Sequence, residues 1–488
     1  MRSPGRVVVI GAGMAAVRLA EQLVSAGARS ITVLGDEDHL PYNRILLSAV
    51  LEGTHRAETL TLRDAEWYAA HGVDLRLGVR VLDVDRAARE VLLADGDRVP
   101  YDRVVLATGS IPTLPPIRGL VRMDGRLHER VHAFRSLDDC RRLCAVLDRW
   151  DALGVTTERR AVVVGGGLLG LQVARALGVR GVRTELVEGG EHLLRSQVGP
   201  QAGGVIAREL RRLGTTVYTG ARAVRLGETD GPEGGRGALR LDNGYVLDTD
   251  LVVLTAGGRP STALARRAGL TVRRGVVVDD RLRSVDDERV HAIGDCAEPP
   301  GLAQGRTSGF VPPAWEQAGE LAVHLTGGEA GYTGTRSVAR LRASDLDVAV
   351  LGDPEHAEGQ VVEVTNPLAG SHRQLVVHEG RIVAATLVGD LSRIGLITQY
   401  YDRGSVLGPG EPGALLMADR PTRPAALPDD AEVCACAGVA AGAIRACSSL
   451  EEVRDRTRAT TGCGGCAASV RQLLATRPSL VPAKGSPS

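Results

Sequence analysis

Twice in this chain a run of branched apolar residues ends in a glycine-rich turn and continues as a helical pattern. Val7-Val8-Val9-Ile10 leads into Gly11-Ala12-Gly13-Met14-Ala15-Ala16, and Ala161-Val162-Val163-Val164 leads into Gly165-Gly166-Gly167-Leu168-Leu169-Gly170. Strand, tight turn and helix in that order commit a chain to parallel α/β units that place a dinucleotide pyrophosphate at a helix N-terminus. In the first unit Gly11 permits the turn, Gly13 lets the backbone approach the phosphates, and the small Ala16 lets helix and strand pack closely. Gly165, Gly167 and Gly170 repeat those roles in the second. Each time the next strand ends in acid: Asp36 and Glu37 in the first unit, Glu188 in the second, placed for ribose hydroxyls. A carboxylate at Glu188 repels a 2′-phosphate, so NADH is the expected nucleotide; the nearby Arg183 and Arg195 keep NADPH as the alternative.

A chain of 488 residues is too long for a single core. Its 43% hydrophobic and 24% charged content is that of an ordinary globular protein. Net charge is zero, so no bulk field favours nucleic acid or an acidic membrane, and neither is expected as a partner. Lys484 is the only lysine, which leaves a Schiff-base mechanism no candidate outside the tail. The amino terminus enters its first strand without a signal-peptide pattern, and no stretch approaches the roughly 20 apolar residues of a membrane span. Eight cysteines, half of them clustered, suit metal chemistry in a reducing cytoplasm, which is the expected location.

Between the repeats, Ser136 is placed as an N-cap with Asp138 and Asp139 in the first turn of a helix. Short β-rich runs follow at 215–258, ending in Leu251 to Gly257. From 340 to 390 the pattern is that of an antiparallel sheet, with a hairpin turning at His378-Glu379-Gly380. Pro412, Pro421, Pro424 and Pro428 mark residues 411–430 as a linker. As a flexible coil it would reach about 25 Å, enough for the last module to visit two sites.

That module holds Cys434-Ala435-Cys436 and Cys463-Gly464-Gly465-Cys466. Four thiolates suit tetrahedral zinc as well as a [2Fe–2S] cluster, and the spacing alone does not choose between them. Gly462, Gly464 and Gly465 let backbone N–H groups approach the sulfurs. Cys140, Cys144, Cys296 and Cys447 read as buried thiols; Cys140 and Cys144 are four apart on the expected helix, and no disulfide-reductase cysteine pair accompanies either nucleotide unit. His128 and His132 precede the helix cap and do not form a zinc-protease pair.

Pro41-Tyr42-Asn43-Arg44-Ile45-Leu46-Leu47-Ser48, Ala107-Thr108-Gly109 and Ile293-Gly294-Asp295 resemble three segments of the FAD-dependent pyridine-nucleotide reductases. The resemblance implies that the first fingerprint binds FAD, with Arg44 near the flavin nucleotide, Thr108 and Gly109 beside the flavin, and Asp295 on the ribityl chain. It adds Met14, Ala15 and Val81 to that site, and Gly257 to the nicotinamide site with Leu168 and Leu169. The chain departs from the family at Ala49, where many relatives carry lysine, and at Gln172, where many carry a glutamate facing the nicotinamide. Val433 to Val439 and Arg458 to Cys466 resemble the small [2Fe–2S] domain of bacterioferritin-associated ferredoxins. A flavin that takes two electrons as hydride needs a one-electron partner to divide them, which zinc cannot supply, so the cluster is the preferred reading.

With Pro313-Ala314-Trp315-Glu316-Gln317-Ala318, these segments resemble the front portion of the NAD(P)H nitrite reductase large subunit and, better, the electron-transfer subunit of assimilatory nitrate reductase, which is expected to stop where this chain does. No cysteine follows Cys466 to hold a sirohaem centre, so reduction of nitrite by this chain alone is not expected. The implied fold is α/β: an FAD-binding domain over 1–135 and 281–330, an NAD(H)-binding domain over 136–280, both Rossmann-like and three-layered, an α+β domain over 331–410, the 411–430 linker, a small helical [2Fe–2S] domain over 431–477 and a disordered tail over 478–488. The implied activity is an NAD(P)H-dependent flavoprotein oxidoreductase relaying electrons through FAD and the cluster to a nitrate reductase catalytic subunit or another acceptor protein. Alternatives are a component of nitrite reductase, a general ferredoxin or rubredoxin reductase, or a flavin-bearing redox-responsive binding protein. A homodimer is the candidate assembly.

Overall fold

The computed structural model describes residues 5–152, 158–228, 236–300, 309–329, 331–334, 338–343, 346–417, 427–462 and 464–475. Both glycine-rich turns sit at the ends of parallel strands, the first in a sheet with one antiparallel edge strand and the second in an all-parallel sheet. In the first sheet, strand Val7–Ile10 lies between Ile31–Leu34 and Arg103–Leu106, in register Val8 to Thr32 and Val8 to Val104. Strand order is Arg283–Ser284, Asp287–Ala292, Arg103–Leu106, Val7–Ile10, Ile31–Leu34 and Val73–Arg76. The near-continuous apolar character of the central strands follows from their burial on both faces. Helices Met14–Ser25 and Val311–Leu325 pack together against this sheet, the second donating Ala318, Leu321 and Ala322 to its core.

The second sheet runs Thr216–Thr219, Arg183–Glu188, Arg160–Val164, Leu251–Leu254 and Val131–Ala133. The expected boundary at 135/136 therefore falls too late: Val131–Ala133 pairs with Leu251–Leu254 in the nucleotide sheet. The return boundary at 280/281 is also too late, because Ala265, Leu270, Val276 and Val278 are buried in the core of the first domain. Strands of two or three residues show no period by which sequence could have assigned them. Strands Gly258–Pro260 and Ser110–Pro112 pair where the chain crosses between the domains.

The expected cap and hairpin are present. Asp139 N–H donates to Ser136 Oγ at 3.1 Å and Ser136 N–H to Asp139 Oδ2 at 2.9 Å, starting helix Leu137–Ala152. Strands Ser371–His378 and Arg381–Val388 turn at Glu379 and Gly380, both at positive φ. They are central in a five-stranded sheet, with Val338–Ala343, Leu346–Leu351 and Gln360–Asn366 completing it. Helix Ile394–Arg403 covers one face, while Val348, Val350 and Val388 join the nucleotide-domain core on the other. Residues 411–416 are not linker: Glu411–Leu416 is a helix whose Leu415 and Leu416 are buried under this sheet. Residues 418–426 and the tail lie outside the described residues. The last module comprises helices Ala441–Arg445, Leu450–Thr457 and Ala467–Ala475 with a two-stranded ladder, Glu432–Cys434 and Val439–Ala440.

Candidate functional site

At the first turn Gly11 has φ +107°, and a Cβ there would lie 2.3 Å from the Ala107 oxygen. Only glycine fits, and the turn is thereby pressed against Ala107-Thr108-Gly109. A Cβ on Gly13 or Gly109 would meet nothing within 4 Å, so the space that a pyrophosphate and a flavin need lies open above them. Ala16 is fully buried, and the Ala15 methyl lies 3.3 Å from where a Gly294 side chain would start. The first fingerprint and Ile293-Gly294-Asp295 are thus brought together. Thr108 Oγ1 donates to the Ser261 carbonyl at 2.7 Å, leaving its backbone facing the turn.

Asp295 accepts from Ser110 Oγ at 2.7 Å and pairs with Arg135 Nη2 at 3.1 Å. Gln317 Oε1 accepts the Gly294 N–H at 2.7 Å, fixing the turn that carries Asp295. Sequence reasoning misses both supports: Arg135 is one of many arginines, and Gln317 lies in a resembling segment that assigns it no role. Glu37 faces Tyr42 and Arg44, accepting the Tyr42 hydroxyl at 2.7 Å and pairing with the Arg44 guanidinium. Burial pushes the Tyr42 phenol up, so it donates as a neutral hydroxyl. Asp36 lies near enough to Arg44 to add to the acid that holds its charge, and Val81 packs against the first-domain core.

The second turn repeats the first. Gly165 has φ +120°, its would-be Cβ 2.6 Å from the Thr255 oxygen, and Thr255 Oγ1 donates to the Gly165 carbonyl at 3.1 Å. A Gly170 Cβ would collide with the Gly165 oxygen at 1.8 Å, while Gly167 and Gly257 face open space. Leu168 and Leu169 begin the helix Leu168–Val179 and pack on the domain core. Glu188 stands over the turn with Arg195 Nε at 3.9 Å. Arg183 instead pairs with Glu158 at 3.2 Å, away from Glu188. Arg222, which the sequence did not single out, lies against Gly189. Helix Leu47–Glu52 links the two sites: Ser48 Oγ donates to Gln172 Oε1 at 3.4 Å, and Glu52 pairs with Arg175 at 2.7 Å.

Cys434, Cys436 and Cys466 are buried in one apolar cluster with Met14, Val17, Leu62 and Trp315 of the first domain. Cys463 lies outside the described residues. Among the described residues no three side chains are placed to hold a metal ion; what is described is the first cysteine pair and one member of the second, buried together in surroundings suited to thiolates. Thr460 N–H points at Cys466 Sγ at 3.2 Å, and Cys466 immediately precedes helix Ala467–Ala475, whose N-terminal dipole favours a thiolate. A Cβ on Gly462, the residue before Cys463, would lie 3.5 Å from Cys436 Sγ, so the second cysteine pair approaches the first. Of the other thiols Cys140, Cys296 and Cys447 are buried, with Cys296 donating to the Leu106 carbonyl and Cys447 to that of Ala443, whereas Cys144 is only half-buried. The Cys144 hydrogen bond and burial push the Cys140 thiol up.

The family described as pyridine nucleotide-disulphide oxidoreductase matches residues 5–318, and the BFD-like [2Fe–2S] binding domain matches residues 432–476. Over 96% of its length the chain is 33% identical to a nitrite reductase [NAD(P)H] of Bacillus subtilis, of which it covers 57%. It is 28% identical to an assimilatory nitrate reductase electron transfer subunit of the same species, covering 96% of this chain and 59% of that one. The expectation that this second relative stops where the chain does is therefore not met; the chain spans about half the length of these nitrite and nitrate reductase relatives. A crystal structure of a ferredoxin reductase from Rhodopseudomonas palustris superposes with a TM-score of 0.74 at 25% identity, over 84% of this chain and 97% of that one. Among the described residues no helix is long and apolar enough to cross a membrane. FAD, NAD(P)H and a [2Fe–2S] cluster are the cofactors of these two domain types. The chain is an NAD(P)H-dependent oxidoreductase and belongs to the pyridine nucleotide-disulphide oxidoreductase family, extended at its C-terminal side by a BFD-like [2Fe–2S] domain.

Proposed function

We propose that this chain carries electrons from NADH to a nitrate reductase catalytic subunit in the cytoplasm. One observation carries the relay: Cys434, Cys436 and Cys466 share a buried apolar cluster with Met14 of the first fingerprint and with Trp315. Bound FAD accepts two electrons as hydride, and a [2Fe–2S] cluster accepts them singly. The roles of the residues follow from placement. Gly165, Gly167 and Gly170 shape the turn for the nucleotide pyrophosphate, and Glu188 holds the ribose. Helix Leu47–Glu52, packed on Leu168–Val179, sets how closely nicotinamide and flavin approach, and proximity is what hydride transfer requires. Gly11, Gly13 and Ala16 seat FAD, Asp295 takes the ribityl chain with Arg135 and Gln317 orienting it, and the apolar cluster keeps water from the route to the cysteines.

The electron-transfer-subunit relative supports nitrate reductase as the acceptor; the nitrite reductase relative supports a sirohaem-bearing partner region as the second reading. The reconstituted chain should support NADH-driven nitrate reduction by a purified molybdenum nitrate reductase. Nitrite reduction with a sirohaem partner, and none of nitrate, would favour the second reading. Faster turnover of a ferredoxin or rubredoxin than of either would overturn both.

A further inference from the structure

The cluster module is seated on the flavin domain through two buried polar contacts. Asn43, 2% exposed, uses both ends of its amide. Its Oδ1 accepts the Ile45 N–H at 3.0 Å, capping the short helix Arg44–Leu46. Its Nδ2 donates to the carbonyls of Thr461 and Gly462, the latter at 2.6 Å. The partners fix which end is which: two carbonyls call for a donor, and the Ile45 N–H calls for an acceptor. One side chain therefore ties the residue beside Arg44 to the residue beside Cys463. Gly462 is in turn within 3.9 Å of the Trp315 ring, measured from its would-be Cβ.

Arg458 makes the second contact. It is 9% exposed, donates Nη1 to the Leu62 carbonyl at 3.0 Å, and brings Nε to 3.6 Å from Glu21 Oε1. Glu21, itself 7% exposed on helix Met14–Ser25, also accepts Arg63 Nε at 2.8 Å and lies 3.6 Å from Arg18. A buried pair of this kind sets register more than it adds adhesion. Arg458 sits at φ +63°, ending helix Leu450–Thr457, so the chain turns from that helix directly into the cysteine loop.

We propose that Asn43 and Arg458 form a latch that fixes the cysteine loop on the Arg44 segment, and that Asn43 is a positioning residue for electron passage between the two cofactor sites. The proposal rests on the relay reading. Two electrons enter with each hydride from NADH and leave singly, so the separation set by the latch is crossed twice per turnover. A module swinging on its linker would not keep that separation; the latch does.

The test uses the full chain reconstituted with FAD and cluster. Asn43→Asp keeps the acceptor for Ile45 and sets a carboxylate against two carbonyls; Arg458→Asn suits the positive φ and removes the reach to Leu62 and Glu21. NADH is mixed anaerobically in single turnover, following the flavin and cluster bands separately, and amide hydrogen exchange is followed over 458–462. In Arg458→Asn the flavin band should bleach at the parent rate while the cluster band slows at least about tenfold. In Asn43→Asp the ratio of the two rates should fall in the same direction. Exchange over 458–462 should quicken in both, with the cluster EPR signal unchanged because no thiolate is altered. Parent-like cluster bleaching and exchange in both variants would overturn the latch. Should Asn43→Asp lose its flavin, parent-like behaviour of Arg458→Asn alone would overturn it. A parent chain whose cluster never bleaches with NADH would sink the relay instead, and quickened exchange in the variants would still establish the latch.

Discussion

Glu188 closes over Gly166: its Oε2 accepts the Gly166 N–H at 2.6 Å, while its Oε1 accepts that of Gly190 at 2.6 Å. The carboxylate is held by backbone on both sides, above the turn proposed to take the nucleotide. Arg195 Nε stands 3.9 Å from it, and Arg222 lies against the neighbouring Gly189.

Glu188→Gln removes the charge that repels a 2′-phosphate and leaves those arginines in place. The ratio of kcat/KM for NADPH over NADH should rise about tenfold or more, equivalent to ~1.4 kcal/mol. Steady-state kinetics with a dye acceptor measures it. An unchanged ratio would place the ribose elsewhere.

Gly11 and Gly13 differ although both belong to one fingerprint. Gly11→Ala drives a methyl to 2.3 Å from the Ala107 oxygen at a φ that alanine resists, a cost of at least about 3 kcal/mol. It should yield little folded protein. Gly13→Ala meets no protein atom and should fold with parent-like thermal stability, but bind FAD at least about tenfold more weakly because its methyl enters the phosphate space. Equal loss of melting temperature in both would refute the distinction.

Cys463→Ser should abolish the visible absorption of the cluster and leave NADH-to-dye turnover within about twofold of the parent, since hydride reaches FAD before the cysteines are involved. Loss of both signals would mean that electrons do not pass in that order.

His291 is fully buried on the strand Asp287–Ala292, beside His324. Burial, with His324 adding to it, holds its ring pKa down at about 3, against an unfolded value near ~6.5. Between those values the unfolded chain takes up a proton that the folded chain refuses. Stability is therefore lost as pH falls from about 6.5 towards 3, by up to about 1.4 kcal/mol per pH unit. His291→Leu should flatten that slope, seen as a smaller drop in urea midpoint between pH 7 and pH 5. Parallel slopes in parent and variant would clear His291 of the effect.

What could be read from sequence was what local chemistry dictates. Gly11 and Gly165 announce a turn that only glycine fits, Ser136 with Asp139 a helix start and Gly380 a hairpin turn, and each adopts that geometry. Val131–Ala133 could not be assigned because three residues carry no period, and its sheet is decided by Leu251–Leu254, far along the chain. Glu411–Leu416 was hidden by the proline at 412, which reads as a linker but is tolerated in a helix's first turn. Arg135, Gln317 and Asn43 were silent for another reason: each acts through a partner distant in sequence, and an arginine or an amide alone does not say which carbonyl or carboxylate it will meet.

The apolar cluster joining Met14, Trp315 and the cysteines has a consequence for the cell's exposure to oxygen. A reduced flavin open to solvent hands electrons to dissolved dioxygen and makes peroxide. Here Cys434, Cys436 and Cys466 share a buried apolar cluster with Met14 and Trp315 of the first domain, so a relay through them would leave dioxygen less room to intercept a charge on its way out. On the relay proposed above, seating the module would also shield: a turnover would be steered towards delivery, and fewer of its electrons would end as peroxide.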